Sequence, residues 1–193
     1  MKGLGIMLLM VGTLSTSAGA QNTLDVSTAP VWALNDTWTF RIGTTTRTHT
    51  VTGVREDGYT LTLKTSSGGT SNEHVGRDLV WGSLWRPKWP LTDGLLWTYS
   101  YSTSPTGSYG ATRNDYTNTF KVLGVESVTV PAGTFQAVHI HGQQCITSAP
   151  KQPCGDFNAW YAPQVKWFIK NTFVGSLWSN VPQPQELISY ELH

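Results

Sequence analysis

Beyond its first twenty positions the chain alternates apolar and polar residues with a period of two, and helical spacing is hard to find. In Gly58-Tyr59-Thr60-Leu61-Thr62-Leu63-Lys64 the apolar side chains alternate with threonine, which gives a strand one buried and one wet face. Glu56-Asp57-Gly58 supplies a hairpin turn back to a strand from Thr46 to Val54. Val128-Thr129-Val130-Pro131-Ala132-Gly133-Thr134-Phe135 reads as a strand stopped by proline, a tight turn that needs Gly133, and a return strand through Val138 and Ile140. Trp160-Tyr161-Ala162-Pro163 is expected to open a strand in which Val165, Trp167 and Ile169 alternate with Lys166 and Lys170. In the last stretch Ile188, Tyr190 and Leu192 fall on one side of a closing strand. Gly and Pro punctuation every ten to fifteen residues completes an all-β pattern. The expected fold is an antiparallel, open or partly closed β-barrel of about 10–12 strands with little helix.

Two features interrupt or repeat the pattern. Trp81-Gly82-Ser83-Leu84-Trp85-Arg86-Pro87-Lys88-Trp89-Pro90 spaces its indoles by four, yet Gly82, Pro87 and Pro90 forbid a helix, so an irregular crossing segment is expected. Leu34-Asn35-Asp36-Thr37-Trp38-Thr39-Phe40 is echoed by Leu91-Thr92-Asp93-Gly94, one extra residue pair, and Trp97-Thr98-Tyr99; Gly-Ser-Leu-Trp recurs at 82–85 and 175–178. Two related halves would account for the first echo.

The first twenty residues have the layout of a secretory signal: Lys2, an apolar run from Leu4 to Val11, and small residues ending at Ala18-Gly19-Ala20. That run is half as long as a bilayer-spanning helix requires, and no later stretch approaches one. No cysteine stands at the cleavage region, so a lipoprotein anchor is not expected, and the address is periplasmic or secreted. Residues 21–193 have the length of a single domain. Loss of Lys2 reduces the 13 Lys and Arg to 12 against 12 Asp and Glu, a neutral balance that disfavours nucleic acid as partner. Cys145 and Cys154 bracket a turn-rich segment, and the exported address favours a disulfide between them, worth about 3 kcal/mol in the chain-entropy model.

Three signatures in order, the Val-Pro-Ala-Gly-Thr-Phe hairpin at 130–135, Trp160-Tyr161-Ala162-Pro163, and Glu186-Leu187-Ile188-Ser189-Tyr190-Glu191-Leu192, resemble exported bacterial β-proteins of unknown function. The resemblance covers roughly residues 91–193 and implies an open or partly closed antiparallel barrel. More distantly, and only in fold, it is similar to the carriers that move lipoproteins across the periplasm. Many sequences of this kind place Gly after the valine that follows Trp-Tyr-Ala-Pro; Lys166 stands there in this chain. The resemblance brings no catalytic residues.

Chemistry is sparse. There is no Gly-x-Ser-x-Gly elbow, no His-Glu-x-x-His and no phosphate-cradling glycine loop. Asp78, Asp93, Asp115, Glu126 and Asp156 are scattered, and spacing cannot pair them as glycosidase carboxylates. His139 and His141 share one strand face, expected outward. A metal would need a third ligand from His49, His74, Asp156 or Glu126, and neither a metal nor another cofactor is expected. The leading expectation is a non-enzymatic binding or carrier module of the envelope for a lipid or other apolar or amphipathic ligand. Trp81, Trp85, Trp89 and Trp97 would form its aromatic wall, with Arg86 and Lys88 as anchors for a polar head. A structural domain that meets another envelope protein, and a hydrolase of envelope glycans or esters, are the alternatives.

The leader sets a direct test. Mass spectrometry of the protein recovered from a periplasmic or culture fraction should find a mature chain beginning at Gln21; an intact Met1 terminus would refute processing.

Overall fold

The computed structural model describes residues 24–81, 85–103, 113–149, 151–152, 154–174 and 184–193; the leader, residues 82–84 and the second Gly-Ser-Leu-Trp lie outside the described residues. Ten strands follow in order: β1 Thr37–Ile42, β2 Thr45–Val54, β3 Gly58–Thr65, β4 Thr70–Gly76, β5 Leu96–Thr103, β6 Asn114–Val130, β7 Gly133–Ile146, β8 Gly155–Ala162, β9 Trp167–Val174 and β10 Gln185–Glu191. A 3-10 turn at Pro163–Val165 is the one helical element among the described residues. All ten strands belong to one antiparallel sheet in the order β4-β3-β2-β1-β10-β9-β8-β7-β6-β5. Each strand pairs with its chain neighbour except at the β4–β5 crossing, and β10, besides pairing with β9, returns to pair with β1. The sheet is therefore open: β4 and β5, consecutive in the chain, lie at its two ends.

The sheet nevertheless curls. β3 and β9 are four strand positions apart, about 19 Å in a flat sheet. Trp32 touches both, with ring centroids 4.8 Å from Tyr59 and 4.3 Å from Trp167. Inward residues from every strand meet inside this curl, among them Trp38, Phe40, Leu61, Val75, Phe120, Ile140, Phe157 and Leu187. Gly142 is the inward residue of β7 between Phe120 on β6 and Phe157 on β8. Its missing side chain is filled by the Phe157 ring, for a Cβ there would lie 2.1 Å from Cζ.

The turn between β8 and β9 ties the two ends of the chain together. Trp32 Nε1 donates to the Lys166 carbonyl at 2.9 Å, and Trp38 Nε1 donates to that of Val165 at 2.7 Å. Asp36, fully buried, accepts from Ala33 N, His193 N and Lys166 Nζ at 2.9, 2.7 and 3.4 Å. Lys166 itself has φ 60°, the left-handed conformation that glycine adopts without strain, and these bonds hold a side-chain-bearing residue in it.

Two expectations are corrected here. Trp160-Tyr161-Ala162 closes β8 and does not open a strand, because Pro163 begins the turn that precedes β9. In β10 the buried residue is Leu187 while Tyr190 is exposed. A bulge opposite Thr39 and Phe40 skips Ile188 and changes which side chains point inward. The disulfide joins Cys145 to Cys154 with Cα atoms 4.4 Å apart, beside the last pair of the β7–β8 ladder, Gln144 and Gly155.

The echo is a structural repeat with a different alignment. Asn35 (φ 73°) and Gly94 (φ 74°) occupy equivalent turns, in which Asp36 N and Leu95 N donate to the carbonyls of Ala33 and Thr92. Trp38 matches Trp97 without the extra residue pair. Opposite them His49 matches Phe120, and the β2 and β6 bulges between Val51 and Gly53 and between Val122 and Gly124 coincide. Thus β1–β3 and β5–β7 repeat one motif.

The packing at Gly142 sets a test. Gly142→Ala should lower the unfolding free energy by about 1–3 kcal/mol in urea titration. Gly76→Ala, where the nearest atom to a new Cβ is at 3.6 Å, should change it little. Equal stability of the two variants would refute the packing described.

Candidate functional site

The crossing segment between β4 and β5 lies across the concave face and sends indoles into it. Trp81 and Trp85 form an isolated antiparallel bridge, with Trp81 N donating to the Trp85 carbonyl at 3.0 Å. Trp81 packs on the β1–β4 half, edge-on to His49 at 5.3 Å and 5.6 Å from Trp167; its Nε1 donates to Glu73 on β4. Trp85 packs on the other half against Phe168, Phe120 and Phe157 at 4.4, 5.7 and 6.1 Å. Trp89 stands edge-on to Tyr161 at 5.3 Å and donates to the Asp78 carbonyl. Trp97 stacks on Phe120 at 4.9 Å and donates to the Arg86 carbonyl. The four indoles selected from the sequence are thus brought to one interior, half-buried or buried. Arg86 and Lys88 stay at the surface, Arg86 with its guanidinium 5.3 Å above the Tyr99 ring.

This interior contains polar atoms that its aromatic lining does not serve. His49 is fully buried among Phe40, Trp81 and Trp167, at 5.2, 5.3 and 6.3 Å, and neither ring nitrogen has a hydrogen-bond partner. Trp85 Nε1 is also buried without a partner. Asn118 Oδ1 accepts from Gln144 Nε2 at 3.0 Å, and the same nitrogen reaches the Tyr101 hydroxyl at 2.9 Å. A buried donor or acceptor left unpaired costs about 1–3 kcal/mol, so the core bears more than one such penalty. Burial, and secondarily the positive charge of Arg47, lower the His49 pKa from 6.5 to about 3, so the imidazole is neutral near pH 7.

The sequence reading did not select Arg47, and it considered His49 only as a candidate third ligand to a metal. Thr46, Thr48, Thr50 and Thr52 alternate with Arg47, His49 and Val51, and Arg47 pairs across the ladder with Phe40, which is buried. Directly opposed residues share a face, so Arg47 belongs to the concave side. Among the described residues four Lys or Arg side chains are half-buried: Arg47, Arg77, Lys166 and Lys170. Arg77 donates to the Tyr59 hydroxyl, Lys166 pairs with Asp36 and Lys170 with Glu186. The Arg47 guanidinium has no hydrogen bond or ion pair to any described residue.

His139 and His141 lie on the convex face. His139 stacks on Trp160 at 4.6 Å and lies between Glu126 and Asn158, at 3.2 and 2.9 Å. His141 reaches the same Asn158 oxygen at 3.3 Å and Asp156 at 3.6 Å. His49 faces inward and His74 stands by Asp57 on the other half. No set of three His, Cys, Asp or Glu among the described residues is disposed to hold a metal ion.

The buried imidazole makes stability depend on pH with a definite sign. Above pH 6.5 it is neutral in folded and unfolded chains alike and contributes no slope. Between pH 6.5 and about 3 the unfolded chain binds a proton that the folded chain refuses, so stability falls as pH falls. The stability of the parent protein relative to His49→Phe should therefore drop by about 3 kcal/mol from pH 7 to pH 4.5. A pH-independent difference in urea unfolding would show that His49 is protonated or solvated in the folded state.

No family model matches the chain, and no curated protein does. Two solved structures are similar over most of its length. One is a lipoprotein candidate from Parabacteroides distasonis, 13% identical with a TM-score of 0.45, the match covering 87% of this chain and 100% of that one. The other is an exported-protein candidate with a YmcC-like fold from Bacteroides fragilis, 10% identical with a TM-score of 0.44, over 86% of this chain and 99% of that one.

Proposed function

We propose that this chain is a binding or carrier module of the cell envelope that takes an apolar or amphipathic ligand against its concave aromatic face. The observation that carries the reading is the presence of unpartnered polar atoms, on His49 and Trp85, inside an interior otherwise lined by rings. The repeat sharpens it: His49 occupies the position that Phe120 fills in the other half, where an apolar ring packs without a polar penalty. A ligand with a hydrocarbon body and a few oxygen atoms would supply both the apolar contact and the missing partners. Trp81, Trp85, Trp89 and Trp97 form the wall in this reading, with Arg86 and Lys88 on its exposed margin. The expected leader, and the neutral balance of the chain without it, agree with an uncharged or amphipathic cargo outside the cytoplasm.

Entry involves Trp81. Of the three rings around His49 it alone is partly exposed, so its displacement would uncover the imidazole. That movement gives up the indole bond to Glu73 at the sheet end.

Native mass spectrometry of protein purified without detergent from its own host should show a bound small-molecule mass. After delipidation, the uncharged probe N-phenyl-1-naphthylamine should bind saturably, with energy transfer from tryptophan. Trp85→Ala should weaken that binding at least tenfold. A ligand-free mass together with no saturable probe signal would overturn the proposal and leave a domain whose indoles only fill its core.

A further inference from the structure

We propose that Arg47 and His49 form the head-group end of this concave site and that the preferred occupant is an amphiphile bearing an oxyanion, a carboxylate or a phosphate, on an acyl chain. The inference rests on the binding reading above and gives it a chemical class and a polarity.

Arg47 is distinguished by its surroundings. Each of the other half-buried cations among the described residues has a protein partner, and Arg47 has none. A guanidinium carries five N–H donors in a planar fork that fits a carboxylate or phosphate edge. Partial burial without an acceptor leaves that fork unmatched. One strand pair further in, on the same face of β2, stands His49 with both nitrogens unpartnered. Its neutral ring offers one N–H to a second oxygen of the same head. Beyond His49 on the same face come Val51 and, opposite it on β3, Leu61, both fully buried, and the rings of Trp81 and Trp167 pack against the imidazole, a lining that suits a hydrocarbon chain and no charge. The order along this face of β2 is cation, neutral donor, then apolar side chain, which is the order of an oxyanion, its neighbouring oxygen and an acyl tail.

Arg86 and Lys88 are weaker candidates for the anchor. Both are exposed to solvent, and Arg86 already lies over the Tyr99 ring. Neither shares a strand face with an unpartnered buried group.

Competition against N-phenyl-1-naphthylamine on delipidated full-length protein tests this, using oleate, oleoyl lysophosphatidate and monooleoylglycerol as competitors. Oleate or the lysophosphatidate should displace the probe at least tenfold more effectively than monooleoylglycerol, and the better of the two identifies the head. Arg47→Gln should reduce anionic competition at least tenfold while leaving the probe and monooleoylglycerol within twofold, and Arg47→Lys should restore part of the loss. His49→Phe should reduce anionic competition by a smaller factor. Thermal unfolding of each variant checks that it is folded. Probe binding that shows no preference for the anionic competitors, or an Arg47→Gln variant that binds them unchanged, overturns the head-group assignment and spares the binding reading. Absence of binding by every compound overturns both.

Discussion

A fully buried carboxylate organises the molecule. Asp36 sits in the turn before β1 with no exposure to water, and such a charge is tolerated only where hydrogen bonds and a counter-charge surround it. It draws its own turn, the Lys166 ammonium and the backbone of His193 to one point. The indoles of Trp32 and Trp38 add bonds from the same region to the carbonyls of the β8–β9 turn. Residues from the start of the domain are thereby fixed to a hairpin more than a hundred residues later, and the pairing of β1 with β10 follows. Without that junction the two meanders would have no common interior.

The interior created this way is uneven. On the β5–β8 side the rings of Trp97, Phe120 and Phe157 pack closely enough to leave Gly142 without room for one more carbon. On the β1–β4 side the equivalent position holds an imidazole with no polar partner, and a guanidinium lies next to it on the same face. At this pair of equivalent positions one half of the repeat holds a packed ring and the other a polar ring without a partner, a penalty that a purely structural core would shed. Natural proteins concentrate such local departures where they bind or react.

Much of this could be read from the chain. Alternation in Gly58–Lys64, the Pro131–Gly133 turn, the punctuation of the crossing segment and the two cysteines led to an all-β domain with one disulfide. What could not be read depends on partners distant in sequence. Lys166 adopts a left-handed backbone because Trp32 and Asp36, 134 and 130 residues away, hold it there. Leu187 replaces Ile188 as the inward residue because β1 imposes a bulge. The echo was visible, but its alignment was set by two positive-φ turns and not by the shared aspartate. Arg47 and His49 were hidden for a simpler reason. The Thr46–Thr52 stretch alternates two polar faces, and only the pairing of Arg47 with buried Phe40 reveals which one is interior.

The position of β4 and β5 at opposite ends of one sheet has a mechanical consequence. Among the described residues these strands share no ladder, and the covalent connection between them is the segment that carries the indoles. A closed hoop of strands has a circumference set by its hydrogen bonds. Across the gap of this one, the described residues of the crossing segment are held by ring contacts and isolated hydrogen bonds, so no continuous ladder fixes its girth there.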